Sequence, residues 1–224
     1  MDVTPILLSI KTAAAATAVT FFLGIYLAWI TAKMKKGKGI VDAIVTLPMV
    51  LPPTITGFFL LVLFGNQTSL GRWLSAHGQG VIFTWKGAVL AAIIVSFPLM
   101  YRTTRSAFEQ LNPNLIDAGK TLGLSNWTIF WKIVFTNCRP GIIGAAILSF
   151  ARALGEFGAT IMVAGNIPGR TQTAALAVYT AMQTGNRTLA YQWVAIMVAI
   201  SLIAMLAMNT VNSRQERLMR RGGR

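Results

Sequence analysis

Long apolar runs alternate with short charged clusters along this chain, and the runs have the length of membrane spans. Residues 12–32 and 188–213 contain no Asp, Glu, Lys or Arg, and each is at least as long as the roughly 20 residues that cross a bilayer as a helix. We therefore predict an all-α integral membrane protein, because only helices and closed barrels satisfy their backbone groups within lipid. The predicted spans are about 12–32, 42–65, 87–101, 141–164 and 193–208.

A sixth apolar segment, residues 173–182, is too short to cross a bilayer. It is expected to form a surface or re-entrant helix packed against protein. If this segment and the fourth span both crossed, the C-terminal tail would lie on the opposite side of the membrane from the other basic clusters. The prediction is five spans, with six as the alternative.

The charge is distributed in a way that indicates topology. The composition is 54% hydrophobic and 12% charged, with a net charge of +14. Fourteen of the twenty basic residues form three clusters at the ends of apolar runs, as expected for the Lys and Arg bias of cytoplasmic loops. These are Lys33, Lys35, Lys36 and Lys38; Arg102, Arg105, Lys120, Lys132 and Arg139; and Arg214, Arg217, Arg220, Arg221 and Arg224. The basicity therefore does not indicate nucleic-acid binding.

Placing all three clusters in the cytoplasm puts the N-terminus outside and the C-terminus inside. The chain is then one membrane domain, residues 1–224. It has a cytoplasmic loop over about 102–140 and a basic cytoplasmic tail over about 212–224. No cleavable signal peptide is expected, because the first five residues contain no basic residue.

Prolines interrupt the second span. Pro52, Pro53 and the following Thr54 lie near its middle, and proline removes a backbone donor and clashes with the preceding helical turn. We expect a kink or an unwound segment here. The broken segment either lines a transport pathway, or it is a static kink whose freed backbone groups bond to neighbouring hydroxyls.

Two ionisable residues are predicted inside the fourth span. Arg152 and Glu156 are four positions apart, so in a continuous helix they share one face. Charges at this depth normally face a bundle interior or a watery cavity. The pair is either an ion pair that stabilises helix packing, or a transient anion contact or gate. The flanking Gly155 and Gly158 predict a close helix crossing.

The cytoplasmic loop contains a short helix that suits docking to a partner. The helix is expected to begin with Asn114 as its cap and to stop at Gly123. Leu122 and its apolar neighbours would anchor a partner, while Ala118 and Gly119 would allow close approach. The alternative is an amphipathic helix lying on the membrane.

The sequence contains no recognisable set of catalytic residues. The single His77 and the single Cys138 offer no metal-binding cluster, and the carboxylates are scattered in sequence. No Gly-rich phosphate-binding loop ends in Lys-Ser or Lys-Thr. We predict no catalytic or metal-binding residue and no bound cofactor, so any ATP used must be bound by another chain.

Four segments resemble a known family. The stretch from Asp117 to Gly123 is similar to the "EAA" loop of ABC-importer permeases, although Asp117, Gly119 and Thr136 replace the usual Glu, Ala and Pro. Residues 149–160 and 165–173 resemble molybdate-type permeases, as does 47–54. The Gly-Glu-Phe-Gly-Ala motif at 155–159 is shared with sulfate and tungstate permeases.

This resemblance implies a type I ABC-importer permease fold with a cytoplasmic coupling helix formed by Asp117, Ala118, Gly119, Leu122 and Gly123. It also implies a homodimer in the lipid of a bacterial inner membrane. Each copy would dock on an ABC ATPase carrying ATP and Mg, and an extracytoplasmic protein would deliver the oxyanion. The implied function is molybdate import by alternating access, with Pro52, Pro53, Thr54, Arg152 and Glu156 as pathway or gate candidates. Tungstate and sulfate/thiosulfate permeases remain alternatives, and a secondary anion transporter is the alternative from another class.

Overall fold

The computed structural model describes residues 2–222, with side chains as far as Thr210. The described part of the chain is helical and contains no strand. The helices are α1 Thr4–Lys33, α2 Lys38–Val50, α3 Pro53–Phe64, α4 Ser69–Ala76, α5 Trp85–Glu109, α6 Pro113–Thr121, α7 Asn126–Thr128, a π-helical segment Ile129–Phe135, α8 Thr136–Leu154, α9 Gly158–Val163, α10 Ala174–Gln183 and α11 Arg187–Gly222.

Four helical stretches are long and apolar enough to cross a membrane. They are α1, α5, the continuous stretch Asn126–Leu154 and the Arg187–Thr210 part of α11. If the bent pair α2 and α3 is counted as one broken span, the total is five. This agrees with the predicted five spans. The segment predicted to be too short to cross forms α10.

The core lies where α1, α5 and α8 pack together. Small residues such as Ala16 and Ala92 are fully buried there, which lets the helix backbones approach closely. Hydroxyl groups connect the three helices: Thr20 Oγ1 lies 3.2 Å from Ser149 Oγ, and Ser149 donates to the Ser96 carbonyl at 3.4 Å. These polar contacts fix the helices against one another inside an apolar bundle.

Most of the predicted cytoplasmic loop over 102–140 is helical. Helix α5 continues to Glu109 instead of ending near Tyr101, and the next spanning stretch begins at Asn126 instead of Gly141. Polar side chains at the end of a span are compatible with a helix that extends past the bilayer into water. Only short connections on either side of α6 remain non-helical.

The second span is broken as its prolines predict. Helix α2 ends at Val50, α3 begins at Pro53, and the chain bends by 106° between the two helices. Pro53 occupies the first helical position, where the missing N–H removes no intrahelical bond. Pro48 is accommodated within α2.

The predicted continuous fourth span over 141–164 is wrong. Helix α8 ends at Leu154, and the short α9 begins at Gly158. Glycine at 155 weakens helix continuation because its backbone entropy cost is high. Arg152 and Glu156 therefore do not lie on one continuous helix.

The end of the bundle opposite α6 is formed by α4, α10 and their loops. The helix α4 was not predicted; its cap is Thr68, whose Oγ1 accepts from Gly71 N–H at 3.0 Å. The start of α10 is fixed to α1, because the Ala174 N–H donates to Ser9 Oγ at 2.8 Å. The predicted basic tail falls at the end of α11, and its side chains lie outside the described residues.

Candidate functional site

Helix α6 is the predicted docking helix, and its start differs from the expectation. The cap is Asn112 and not Asn114: Asn112 Oδ1 accepts from the Asn114 N–H at 3.0 Å. Pro113 takes the first helical position, which its fixed φ favours. The prediction placed the cap two residues too late because it overlooked this use of proline.

The end of α6 lies where the sequence predicts it. Gly123 has a φ of 73°, and its N–H donates to the Lys120 carbonyl at 2.9 Å. The Leu124 N–H donates to the Gly119 carbonyl at 3.1 Å. These two bonds form a Schellman motif, which satisfies carbonyls at the helix end and needs a left-handed residue.

One face of α6 is free within this chain. Leu115 and Ala118 are exposed, and Leu122 is 77% exposed. These residues are three and four positions apart, so they share a face. We call Leu115, Ala118 and Leu122 the docking face. Asp117 is also exposed and pairs with Lys120 at 3.1 Å on the surface.

The opposite face of α6 is seated on the π-helical segment. Gly119 is buried, and a Cβ added there would lie 2.8 Å from Ile133 Cδ1 and 3.2 Å from Ile129 Cγ1. Gly119 therefore allows close approach to its own chain, contrary to the expectation that it makes room for a partner.

An aromatic cluster continues from this seat into the bundle. Trp29 of α1 lies 5.6 Å from Phe108 of α5 and 5.1 Å from Phe130 of the π-helical segment, measured between ring centroids. The Lys33 ammonium lies 3.6 Å from the Trp29 ring centroid. Interiors packed in this way transmit displacement rather than absorb it. Side-chain packing therefore connects α6 with α1 and α5 through the π-helical segment.

The second group of predicted residues lies where the two broken spans meet. A Cβ added at Gly158 would lie 3.0 Å from Pro53 Cβ and 3.2 Å from the Thr54 nitrogen. A Cβ added at Gly57 would lie 2.8 Å from Ala159 Cα. The close crossing of α3 and α9 thus uses Gly57 and Gly158.

The prediction included Gly158 but also Gly155, which is not at this crossing. A Cβ at Gly155 would have only the Ala151 carbonyl nearby, at 3.9 Å. Pro52 and Thr54 are exposed at the break in the second span, and Pro53 is half-buried. Thr56 is buried, and its hydroxyl has no hydrogen-bond partner among the described residues.

Arg152 and Glu156 form the predicted pair across the break in the fourth span. Arg152 Nη1 donates to Glu156 Oε2 at 2.8 Å, and the other carboxylate oxygen accepts from the Ala159 N–H at 2.8 Å. The Glu156 side chain is 2% exposed, whereas that of Arg152 is 32% exposed. The carboxylate therefore binds an otherwise free N–H at the start of α9 and leaves one side of Arg152 open.

The sequence did not predict an ion network at the end of the bundle where α6 lies. Asp42 of α2 accepts from Arg105 and, at 2.5 Å, from the Tyr101 hydroxyl of α5. Arg105 also pairs with Glu109 at 3.1 Å, and Glu109 pairs with Lys38 at 2.5 Å. The sequence carried only a weak signal, the (i, i+4) spacing of Arg105 and Glu109. Within the described residues, no cluster of His, Cys, Asp and Glu could hold a metal ion.

Comparison with known proteins identifies the family. Residues 20–220 match the model for the binding-protein-dependent transport system inner membrane component. The chain is 43% identical over 206 residues to the putative molybdenum transport system permease protein YvgM of Bacillus subtilis, covering 90% of each chain. It is 41% identical over 204 residues to the molybdenum transport system permease protein ModB of Escherichia coli K12, covering 90% of this chain and 89% of ModB.

A sulfate permease is more distant. The identity to the sulfate transport system permease protein CysT of Escherichia coli K12 is 34% over 192 residues, covering 85% of this chain and 69% of CysT. Among solved structures, an inward-facing MetNI methionine ABC transporter has a TM-score of 0.74 at 15% identity, with 95% of each chain covered. A bacterial alginate ABC transporter in complex with its periplasmic protein has a TM-score of 0.68 at 16% identity, covering 95% of this chain and 78% of that one.

The fold is thus that of ABC-importer permeases, and the sequence match extends over most of the chain. The chain is a multi-pass inner membrane protein that belongs to the family of binding-protein-dependent transport system inner membrane components.

Proposed function

We propose that this chain is the permease subunit of an ATP-driven importer that moves molybdate across the bacterial inner membrane. Molybdate is proposed as the substrate because of sequence identity. The chain is 41–43% identical to molybdenum permeases over nine-tenths of its length, against 34% to a sulfate permease. The chain itself has no catalytic role in this proposal.

A separate ABC ATPase supplies the energy, with ATP and Mg bound to that partner. The support is the form of α6, whose two ends are closed by Asn112 and Gly123 and whose Leu122 projects from the surface. A short, capped helix with an apolar free face suits insertion into a groove. The proposed docking residues are Asp117, Ala118, Leu122 and Gly123, with Gly119 holding the helix to its own chain.

The importer contains two copies of this permease, two ATPases and an extracytoplasmic binding protein. The support for a second copy is that no residue of α2 is buried within one chain, while exposed apolar side chains such as Ile44 and Val50 follow its length. Lipid covers the exposed apolar side chains of α11, such as Leu202 and Ile203. The N-terminus lies outside and the C-terminus in the cytoplasm, as the basic clusters favour.

Transport follows alternating access. ATP binding draws the two ATPases together and moves both copies of α6, and the aromatic cluster passes that displacement to α1 and α5. The gate lies at the adjoining breaks of the second and fourth spans, where Pro52, Pro53 and Thr54 meet α9. Arg152, whose charge is partly neutralised by Glu156, contacts the anion transiently. A pathway needs such weak contacts, because tight binding would slow release.

Two alternatives remain to be separated from this function. A tungstate or sulfate/thiosulfate permease would share the same architecture and differ in substrate. A secondary anion transporter would move its substrate without nucleotide hydrolysis.

The proposal is tested by purifying the permease with its candidate ATPase and binding protein. We expect a stoichiometric complex whose ATP hydrolysis rises several-fold when the molybdate-loaded binding protein is added. A complex that forms but does not respond to the loaded binding protein would contradict the proposed coupling. A permease that transports molybdate without any ATPase would contradict the ABC assignment.

A further inference from the structure

A polar groove at the α6 end has no role in the function described so far. Its volume is about 970 Å³, and it lies between the last turns of α5 and the first turns of α8. Arg102 and Ser106 line one wall, Asn137 lines the other, and Asn112, the cap of α6, lies at its edge. The groove is therefore next to the docking helix but distinct from the docking face.

The groove is closed on the side of the bundle core. A Cβ added at Gly141 would lie 2.7 Å from Ala107 Cβ, and Cys138 donates its thiol hydrogen to the Ala107 carbonyl at 3.3 Å. These contacts join α5 and α8 at the base of the groove. On the opposite face of α5, buried Thr104 and Phe108 face the core. The groove thus opens away from α1.

Charge balance singles out one residue of the groove. Arg105 also lines it, but Arg105 and Lys38 are paired with Asp42 and Glu109, so these two cations and two anions cancel. Arg102 is exposed and has no hydrogen bond or ion pair among the described residues. One arginine charge is thus left unneutralised in a concave site with polar walls.

This combination suits an oxyanion that must leave again. Guanidinium groups present several donors to tetrahedral oxyanions, and the nearby hydroxyl and amide groups of Ser106 and Asn137 can complete a hydrated contact. A single exposed cation in a water-filled groove binds weakly. Weak binding is what an exit requires, since tight binding would hold the product.

We propose that this groove is a cytoplasmic exit site for the transported oxyanion and that Arg102 is its cationic contact. The proposal rests on the proposed transport function and on the orientation that places α6 in the cytoplasm. The phosphate of an anionic lipid headgroup has the same chemistry, and basic pockets on this side of membrane proteins bind such headgroups. The experiment must therefore separate the two sources.

The test measures the electrostatic potential of the groove directly. Ser106→Cys is introduced in a Cys138→Ala background, and the complex with its ATPase is placed in nanodiscs of phosphatidylcholine. The rates of modification by an anionic and a cationic methanethiosulfonate reagent are then compared. Ser106 is one helical turn from Arg102, about 6 Å away. The Arg102 charge should therefore raise the modification rate of the anionic reagent and lower that of the cationic reagent, by about threefold each.

Removing the charge should abolish this bias, and molybdate should compete for the site. We expect Arg102→Gln to equalise the two rates, Arg102→Lys to retain the bias, and millimolar molybdate to slow modification only while residue 102 is cationic. The matched control is Arg139→Gln, because Arg139 is also exposed on α8 but does not line the groove. Its substitution should leave both rates unchanged.

Three results would overturn the inference. The first is no effect of molybdate on the rates. The second is protection by added cardiolipin but not by molybdate, which would assign the groove to lipid. The third is loss of the ATPase from the Arg102→Gln complex, which would assign it to the protein interface. These outcomes leave the proposed function standing if the unmodified complex still imports molybdate, whereas failure of that import would count against the function itself.

Discussion

The left-handed Gly123 gives the sharpest test of docking through α6. Gly123→Ala keeps both hydrogen-bonding N–H groups but places a Cβ on a backbone with a φ of 73°, which costs about 1–2 kcal/mol. No atom lies within 4 Å of that Cβ, so the cost is conformational and involves no clash. If the ATPase binds only the closed helix end, its affinity should fall about five- to thirtyfold.

Gly123→Pro should have a larger effect. Proline removes the N–H that donates to the Lys120 carbonyl at 2.9 Å and fixes φ near about −65°. The Schellman motif cannot form, and we expect no stoichiometric complex with the ATPase. The assay titrates fluorescently labelled ATPase onto the permease in nanodiscs and follows anisotropy, after membrane insertion of each variant has been verified.

The chain contains a matched control for this substitution. Gly185 has a φ of 75° at the end of α10, with the same two bonds: its N–H donates to Met182 at 3.2 Å, and the Asn186 N–H donates to Ala181 at 2.9 Å. Because α10 lies at the other end of the bundle, Gly185→Ala and Gly185→Pro should not change ATPase affinity. Full affinity in Gly123→Pro, or an equal loss in the Gly185 variants, would refute docking through the end of α6.

Two further predictions concern the adjoining breaks. Gly57→Ala should destabilise the permease by about 1–3 kcal/mol, because its Cβ would lie 2.8 Å from the Ala159 backbone. The control Gly155→Ala meets no close atom and should be nearly neutral. Equal melting temperatures of the two variants in detergent would contradict the close crossing of α3 and α9. Glu156→Ala should destabilise the permease by about 2–3 kcal/mol, because it leaves Arg152 and the Ala159 N–H without their acceptor. Glu156→Gln should destabilise it less, because it keeps an acceptor. Chemical unfolding measures both variants, and equal losses would contradict the capping role.

The features predicted well from sequence depend on local signals. The break of the second span follows from Pro52 and Pro53, because proline acts on the turn that precedes it. The end of α6 follows from Gly123, because the left-handed conformation favours glycine. The five spans follow from the length of the apolar runs.

The features that sequence reasoning missed depend on which residues meet in space. The seating of Gly119 on Ile129 and Ile133 requires knowing that α6 folds back on the π-helical segment. The pairing of Asp42 with Arg105 joins residues from separate helices, and hydropathy gives no information on that contact. The break after Leu154 was missed because the segment is apolar on both sides of Glu156.

The most direct test of the central claim is uptake of labelled molybdate at nanomolar concentration. Cells lacking their own importer would express this chain with its candidate ATPase and binding protein, and excess tungstate or sulfate would be added as competitor. We expect uptake that requires a hydrolysis-competent ATPase and is suppressed by tungstate but not by sulfate. Suppression by sulfate would move the chain to the sulfate permeases, and uptake that persists with a hydrolysis-deficient ATPase would contradict ATP-driven import.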